Sequence, residues 1–144
     1  VVLDFLKRTN NSLKLDKLLF FHVTTPLISI KEIKKSINFI KKKKITSLIH
    51  VSEMMEPPYE CINRKGLNWK LLTKKYVTNR QNFKKFYFIT GSMYYFTKKL
   101  FLKNKRVYTE KSYAYEVDKI NFIDINTMFD YENANLLYKK RIRN

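Results

Sequence analysis

Two oxygen-bearing side chains, Asp124 and Asn126, stand one residue apart in the run Phe122-Ile-Asp-Ile-Asn-Thr-Met-Phe-Asp130. The apolar residues before them read as a strand, and the residues after them as a helix start. Positions two apart on a strand share a face, which sets these side chains side by side, about 6–7 Å apart at the backbone. The C-terminal ends of strands are where open α/β sheets keep their ligands. Two such oxygens could hold Mg²⁺, a hard cation that takes few protein ligands and leaves room for substrate phosphates. The competing reading is local: Asn126 or Thr127 caps the next helix and Asp124 is a turn residue.

Little else in the chain is suited to chemistry on its own. No Ser/His/Asp or Cys/His constellation suggests a nucleophile. The single cysteine, Cys61, excludes an intrachain disulfide and a Cys-based zinc site, and fits a reducing, cytoplasmic setting. His50 lies in an apolar run and reads as a hydrogen-bonded core histidine. His22 lies at a strand end, where a core role and a ligand role are equally open. Arg80 alone would be an ordinary surface residue.

The net charge of +18 points towards nucleic acid. Its source argues otherwise. Lysine supplies 24 of the 30 basic residues, while Lys, Asn, Ile, Phe and Tyr make up 71 of 144 and Ala and Gly number 2 each. These abundant types are those of A/T-rich codons, so base composition raises Lys without selection for a polyanion. The lysines are scattered apart from Lys41–Lys44, and no Gly-Phe-Gly-Phe motif of RNA binders is present. A small basic RNA-binding protein of ribosomal type, without catalytic activity, remains the alternative reading, and no specific nucleic-acid partner is expected. No run approaches the roughly 20 apolar residues of a membrane span, and no secretory signal opens the chain.

The elements that must position these residues can be read from pattern. Val1–Lys7 reads as a helix already under way, which suggests the C-terminal part of a longer protein. Lys17–Val23 is a short apolar run, as expected of a buried parallel strand. Ser29-Ile-Lys-Glu32 forms a capping box, and Ile30, Ile33, Ile37 and Ile40 continue at helical spacing. Ile45–Val51 is a second buried strand, so strand, helix and strand form a βαβ crossover and predict a parallel sheet. Pro57-Pro58 breaks the pattern, and a hairpin around Arg64-Lys-Gly66 reads as an excursion. Phe86–Phe96 is a long aromatic strand interrupted at Gly91, where a bulge or a close approach is expected. A short helix at Thr97–Asn104, a strand at Ser112–Val117, a strand at 121–125 and a helix from Thr127 to about Arg141 follow. That last helix places Phe129, Leu136 and Leu137 on one face. There is no internal repeat and no low-complexity linker.

Several segments, in order, resemble the acylneuraminate cytidylyltransferases, which make CMP-activated nine-carbon acidic sugars from CTP. The family's Leu-Leu-Gln-Pro-Thr-Ser-Pro-Leu is similar to Phe20-Phe-His-Val-Thr-Thr-Pro-Leu27. Its Arg-Gln-Asp-Leu-Pro and Tyr-x-x-Asn-Gly-x-x-Tyr resemble Arg80-Gln-Asn-Phe-Lys84 and Tyr87-Phe-Ile-Thr-Gly-Ser-Met-Tyr94. Its Pro-Pro matches Pro57-Pro58, and its Ile-Asp-Ile-Asp-Thr-x-x-Asp is similar to Ile123-Asp-Ile-Asn-Thr-Met-Phe-Asp130. The similarity spans nearly the whole chain.

The resemblance implies an α/β, Rossmann-like nucleotidyltransferase fold with a mainly parallel sheet. It implies one domain over 1–144, with a dimerisation arm at about 56–82 and a homodimer. The reaction it implies joins an acidic sugar to CTP with release of pyrophosphate. Mg²⁺ is the implied cofactor, held by Asp124, also the candidate catalytic residue, and Asn126. His22, Thr24 and Thr25 fall on the loop facing the sugar. Thr90, Gly91 and Tyr94 line its pocket, and Arg80 and Gln81 supply polar groups nearby. The chain departs from the family at three of these positions: Asn126 replaces a carboxylate, His22 a Gln and Thr90 an Asn. It also lacks the family's opening strand and its basic loop, Ala-Arg-x-x-Ser-Lys then Lys-Asn, which grips the CTP phosphates. The chain therefore reads as a partial domain lacking the N-terminal nucleotide-binding strands, and activity is not expected of it alone.

Overall fold

The computed structural model of the chain describes residues 1–9, 15–56, 58–73, 84–118 and 123–142. The architecture is built around β2 (Ser47–Glu53), whose first six residues are all buried. Such a strand needs partners on both edges and cover on both faces. The partners are β5 (Tyr87–Thr97), antiparallel on one edge, and β6 (Tyr113–Glu116), parallel on the other. Beyond β5 lies β1 (Lys17–Phe20), again antiparallel to it, so the sheet order is β1-β5-β2-β6.

The expectation of a mainly parallel sheet is thus corrected: two of the three hydrogen-bonded pairs are antiparallel. The crossover from β1 through α2 (Ile30–Lys43) to β2 does leave those strands pointing the same way. What the pattern could not show is that β5 enters between them from the opposite direction. A second correction concerns the opening motif. Residues 123–126 have no strand partner; 121 and 122 lie outside the described residues.

Side-chain alternation divides the core in two. On one face Ile49 and Val51 of β2 meet Tyr94 and Phe96 of β5 beneath α1 (Val2–Thr9) and α3 (Lys98–Asn104), through Leu6 and Phe101. On the other face Leu48, Met93 and Tyr95 pack under α2 through Ile40. Burying a side chain such as Leu48, Met93 or Phe96 stabilises by about 1.5–3 kcal/mol. The start of α2 is fixed by Ser29, whose hydroxyl accepts from the Glu32 N–H at 3.1 Å. The Glu32 carboxylate is itself buried and faces Lys35, 3.6 Å away.

The excursion after β2 is a separate two-stranded hairpin, β3 (Ile62–Lys65) with β4 (Asn68–Leu71), turning at Gly66 with φ +62°. It touches the β5 entry through Tyr59 against Phe86. Its Leu67, Trp69 and Leu72 are largely exposed. Part of the 56–82 segment, Pro57 and 74–82, lies outside the described residues.

The last helix, α4 (Met128–Ile142), packs differently from the pattern. Phe129 and Leu136 are exposed and Leu137 is half-buried, while Ala134 is the buried contact. A small residue lets the helix lie close over Pro26, Leu27 and Ile125, around a cavity of about 260 Å³. Arg141 donates from Nη1 to the Leu27 carbonyl at 2.7 Å. Among the described residues no helix is long and apolar enough to cross a membrane.

Candidate functional site

At the end of β1 the chain turns through His22, Val23, Thr24 and Thr25. The Thr25 N–H and hydroxyl both donate to the His22 carbonyl, at 3.2 and 2.9 Å, which closes the turn and buries Thr25. That turn is tied to the Asp124 segment by one backbone bond, from Ile125 N–H to the Thr24 carbonyl at 2.8 Å. Asp124 and Asn126 flank this tethered residue. Their side chains are exposed and in contact, with Asn126 Nδ2 donating to Asp124 Oδ2 at 3.0 Å. They stand side by side through a tethered turn and not through a strand.

The helix start just beyond is a reciprocal cap. The Thr127 hydroxyl accepts from the Asp130 N–H at 3.2 Å and donates to Asp130 Oδ2 at 2.7 Å. The same carboxylate oxygen accepts from the N–H groups of Thr127 and Asn126, at 2.8 and 3.1 Å. These bonds, led by that from the Thr127 side chain, hold the Asp130 carboxyl below its ordinary pKa. Capping is therefore done by Thr127 and Asp130. It leaves Asp124 and the Asn126 side chain free of the helix.

Asp124 also borders an aromatic cluster. Burial, then Tyr108, then Asp124 push the Tyr94 hydroxyl above its ordinary pKa. Tyr94 stacks on Tyr108 with centroids 5.9 Å apart and lies 5.4 Å from the His22 ring, which also meets Phe20 edge-on. His22 in turn lies over Gly91. A Cβ at Gly91 would sit 2.9 Å from His22 Nδ1, and φ is +73°, so a side chain is excluded by space and by backbone conformation.

Gly91 has this geometry because β5 bulges. Between the pairs Ile49↔Tyr94 and Val51↔Ile89, β5 takes five residue steps where β2 takes two. The bulge also decides the fate of Thr90. Its hydroxyl is buried and turned to the other face of the sheet, donating to the His50 carbonyl at 3.3 Å and meeting Ser92 Oγ at 2.9 Å. The structure thus gathers His22, Thr24, Gly91, Tyr94, Asp124 and Asn126, with Thr25 buried beneath their turn. Thr90 sits behind them, and Arg80 and Gln81 lie outside the described residues. Tyr108 joins the cluster without any signal in the sequence, since its loop has no periodicity.

The donor set at the tethered turn is compatible with a hard cation. Turning the Asn126 amide over would set its oxygen beside Asp124 Oδ2, giving two adjacent oxygens. Among the described residues no three of His, Cys, Asp and Glu gather as a metal cluster. A cation here would draw most of its shell from water or ligand oxygens, as Mg²⁺ commonly does and Ca²⁺ does not.

No family model matches the chain. Among curated proteins it is similar to the N-acylneuraminate cytidylyltransferases of Streptococcus agalactiae. With those of serotype III strain NEM316 and serotype Ia strain A909 it shares 23% identity over 111 residues, 76% of this chain. With that of serotype V the identity is 22% over the same length. The chain spans 27% of the length of these relatives. The likeness is distant and supports a cytidylyltransferase-like relationship at the level of the family.

Proposed function

We propose that this chain carries the sugar-binding side and the metal-binding end of a Rossmann-like cytidylyltransferase that couples a nine-carbon acidic sugar to CTP. The observation that carries this reading is the tether of the Asp124–Asn126 turn to the His22–Thr25 turn, beside Tyr94. It puts a hard-oxygen pair next to a surface of hydroxyls and aromatic rings, and the curated relatives are cytidylyltransferases. Those relatives favour this reading over an RNA-binding one.

In this reading the sugar rests on His22, Gly91 and Tyr94, with apolar ring faces against its carbons. The half-buried Thr24 and the exposed His22 ring orient it, which turns attack on the CTP α-phosphate into a positioned step. Mg²⁺, when bound, supplies charge neutralisation at the transferring phosphoryl group. Asp124 and Asn126 would hold it, Asn126 as the weaker, neutral ligand.

Titrating the chain with sialic acid and following its NMR spectrum tests the sugar side. Shifts are expected at His22, Thr24, Gly91 and Tyr94. A spectrum unchanged there at millimolar ligand would count against the reading. The hairpin is proposed as a homodimer arm, since Leu67 and Trp69 need cover. Trp69→Glu is expected to halve the solution mass measured by light scattering, and a monomeric wild-type chain would remove that part of the proposal.

A further inference from the structure

Behind the Gly91 bulge, on the α2 face of the sheet, lies a buried polar group that the proposed reaction does not use. His50 has no exposed surface. Its Nε2 lies 2.8 Å from Ser36 Oγ on α2, and its Nδ1 lies 3.0 Å from Ser92 Oγ on the bulge. Tyr115 packs against the ring at 5.7 Å. A histidine enclosed in this way needs a reason to be polar, because a leucine would fill the space without any hydrogen-bond debt.

One assignment of hydrogens gives each of these four bonds a donor and an acceptor. Each hydroxyl has one hydrogen to donate. In this assignment Thr90 gives its hydrogen to the His50 carbonyl oxygen at 3.3 Å rather than to Ser92 Oγ at 2.9 Å, and its own oxygen accepts from Ser92. Ser92 has then spent its hydrogen and can only accept from His50 Nδ1. Nδ1 therefore carries the ring hydrogen, and Nε2 accepts from the Ser36 hydroxyl. The Tyr115 hydroxyl joins the same group through hydrogen bonds with Glu32 and Ser36.

We propose that His50 is a positioning residue for the candidate site: as the Nδ1–H tautomer it fixes Ser92 and Thr90, and so holds the bulge that seats Gly91 against His22. Three extra residues in a strand have lost their ladder partners, and holding each in one conformation costs conformational entropy. The bonds from His50 to Ser92 and from Thr90 to the His50 carbonyl replace that ladder. Gly91 lies between the two anchored residues, with His22 close enough to exclude a methyl group. A small change in the bulge moves Gly91, then His22, then the ring surface that Tyr94 shares with Asp124. The functional part of this inference rests on the sugar-binding reading above. The geometric part stands without it.

An amide pair separates positioning from simple core filling. The Asn side-chain nitrogen lies near where Nδ1 would be, and that of Gln nearer to Nε2. His50→Asn keeps the bond to Ser92, whereas His50→Gln keeps only the contact with Ser36. The readouts are NMR signals of the whole chain: the His22 Cε1–H shift, set by the Phe20 and Tyr94 rings, and the Gly91 amide. Both signals are expected to stay in place in His50→Asn, and to move in His50→Gln and in Ser92→Ala. Long-range ¹⁵N–¹H spectra of the wild type are expected to show Nδ1 protonated. Finding the Nε2–H tautomer would overturn the proposal. So would equal displacement in the two amide variants, which is what a residue that only fills space gives. If an amide variant does not fold, Ser92→Ala and the tautomer decide: unmoved His22 and Gly91 signals refute it. Loss of sialic acid shifts in the wild type would instead refute the functional reading, whatever these signals do.

Discussion

The bulge of β5 and the turn at 124–130 meet at Tyr94 and Asp124, and they are held in opposite ways. The bulge is fixed by residues far apart in the chain, Ser36, His50 and Ser92, all fully buried or nearly so. The turn is exposed and fixed by bonds spanning four residues or fewer, plus the single tether to Thr24. The core thus presents a rigid surface on one side, and a locally capped loop presents adjustable oxygens on the other. Under the proposed function, such a site would keep the sugar in register while its carboxylate and amide adapt to a cation. Pre-organisation of the surface costs nothing at the moment of binding.

The contrast can be broken most severely at His50. His50→Leu takes a hydrogen-bond partner from each of two buried hydroxyls, Ser92 and Ser36, of which Ser36 keeps Tyr115, and each buried group left short of a partner costs about 1–3 kcal/mol. A loss of roughly 4 kcal/mol in urea unfolding is expected from these terms together; a loss under 1 kcal/mol would show that water or rotation satisfies them.

Next in size is a pH effect. Burial lowers the His50 pKa from 6.5 to about 4. Below pH 6.5 the unfolded chain takes up a proton that the folded chain refuses until about pH 4. Stability therefore falls as pH drops through this window, by about 3 kcal/mol in all, and is flat above it as far as this group is concerned. His50→Asn is expected to remove that slope. An unchanged slope in the variant would assign the pH dependence to other groups.

Gly91→Ala is smaller in stability and larger in geometry. The left-handed backbone costs a side-chain-bearing residue about 1–2 kcal/mol, while the His22 ring, being exposed, can swing away from the new methyl group. Sialic acid shifts at His22 are expected to disappear although the fold survives, as seen in NMR spectra of the variant. Persistence of those shifts would separate His22 from the ligand surface.

Thr127→Ala should cost about 1 kcal/mol, the usual value of an N-cap, and shorten α4 by its first turn. Amide exchange in α4 reads this directly, and exchange unaltered at Asp130 and Tyr131 would leave the cap without a role.

How much of this was legible follows from the same contrast. Local features were: the Ser29 cap, the Gly66 hairpin, the Thr97–Asn104 helix and the interruption at Gly91 all depend on near neighbours. The side-by-side placement of Asp124 and Asn126 was legible too, although a strand was expected and a turn makes it. The antiparallel insertion of β5 was not, because a βαβ pattern specifies the direction of two strands and not what lies between them. Nor was the inward turn of Thr90, which depends on three unpaired residues in β5. The apolar face expected on α4 failed for a related reason: Ala134 allows close approach, and that contact outweighs the larger Phe129 and Leu136. His50 as a bonded core histidine was readable from its apolar run, but its partners Ser36 and Ser92 lie 14 and 42 residues away.

The central claim is that Asp124 and Asn126 hold a divalent cation beside the His22–Tyr94 surface. Paramagnetic Mn²⁺, standing in for Mg²⁺, tests it most directly through broadening of NMR signals in the whole chain. At low metal-to-protein ratio, broadening is expected at residues 124–127, at Thr24 and on the Tyr94 ring. Asp124→Ala should abolish it without loss of stability, since the side chain is exposed and takes no part in the cap, and Asn126→Asp should produce it at lower Mn²⁺. Broadening that persists in Asp124→Ala, or that centres on Asp130 instead, would contradict the account and leave the motif as a helix cap alone.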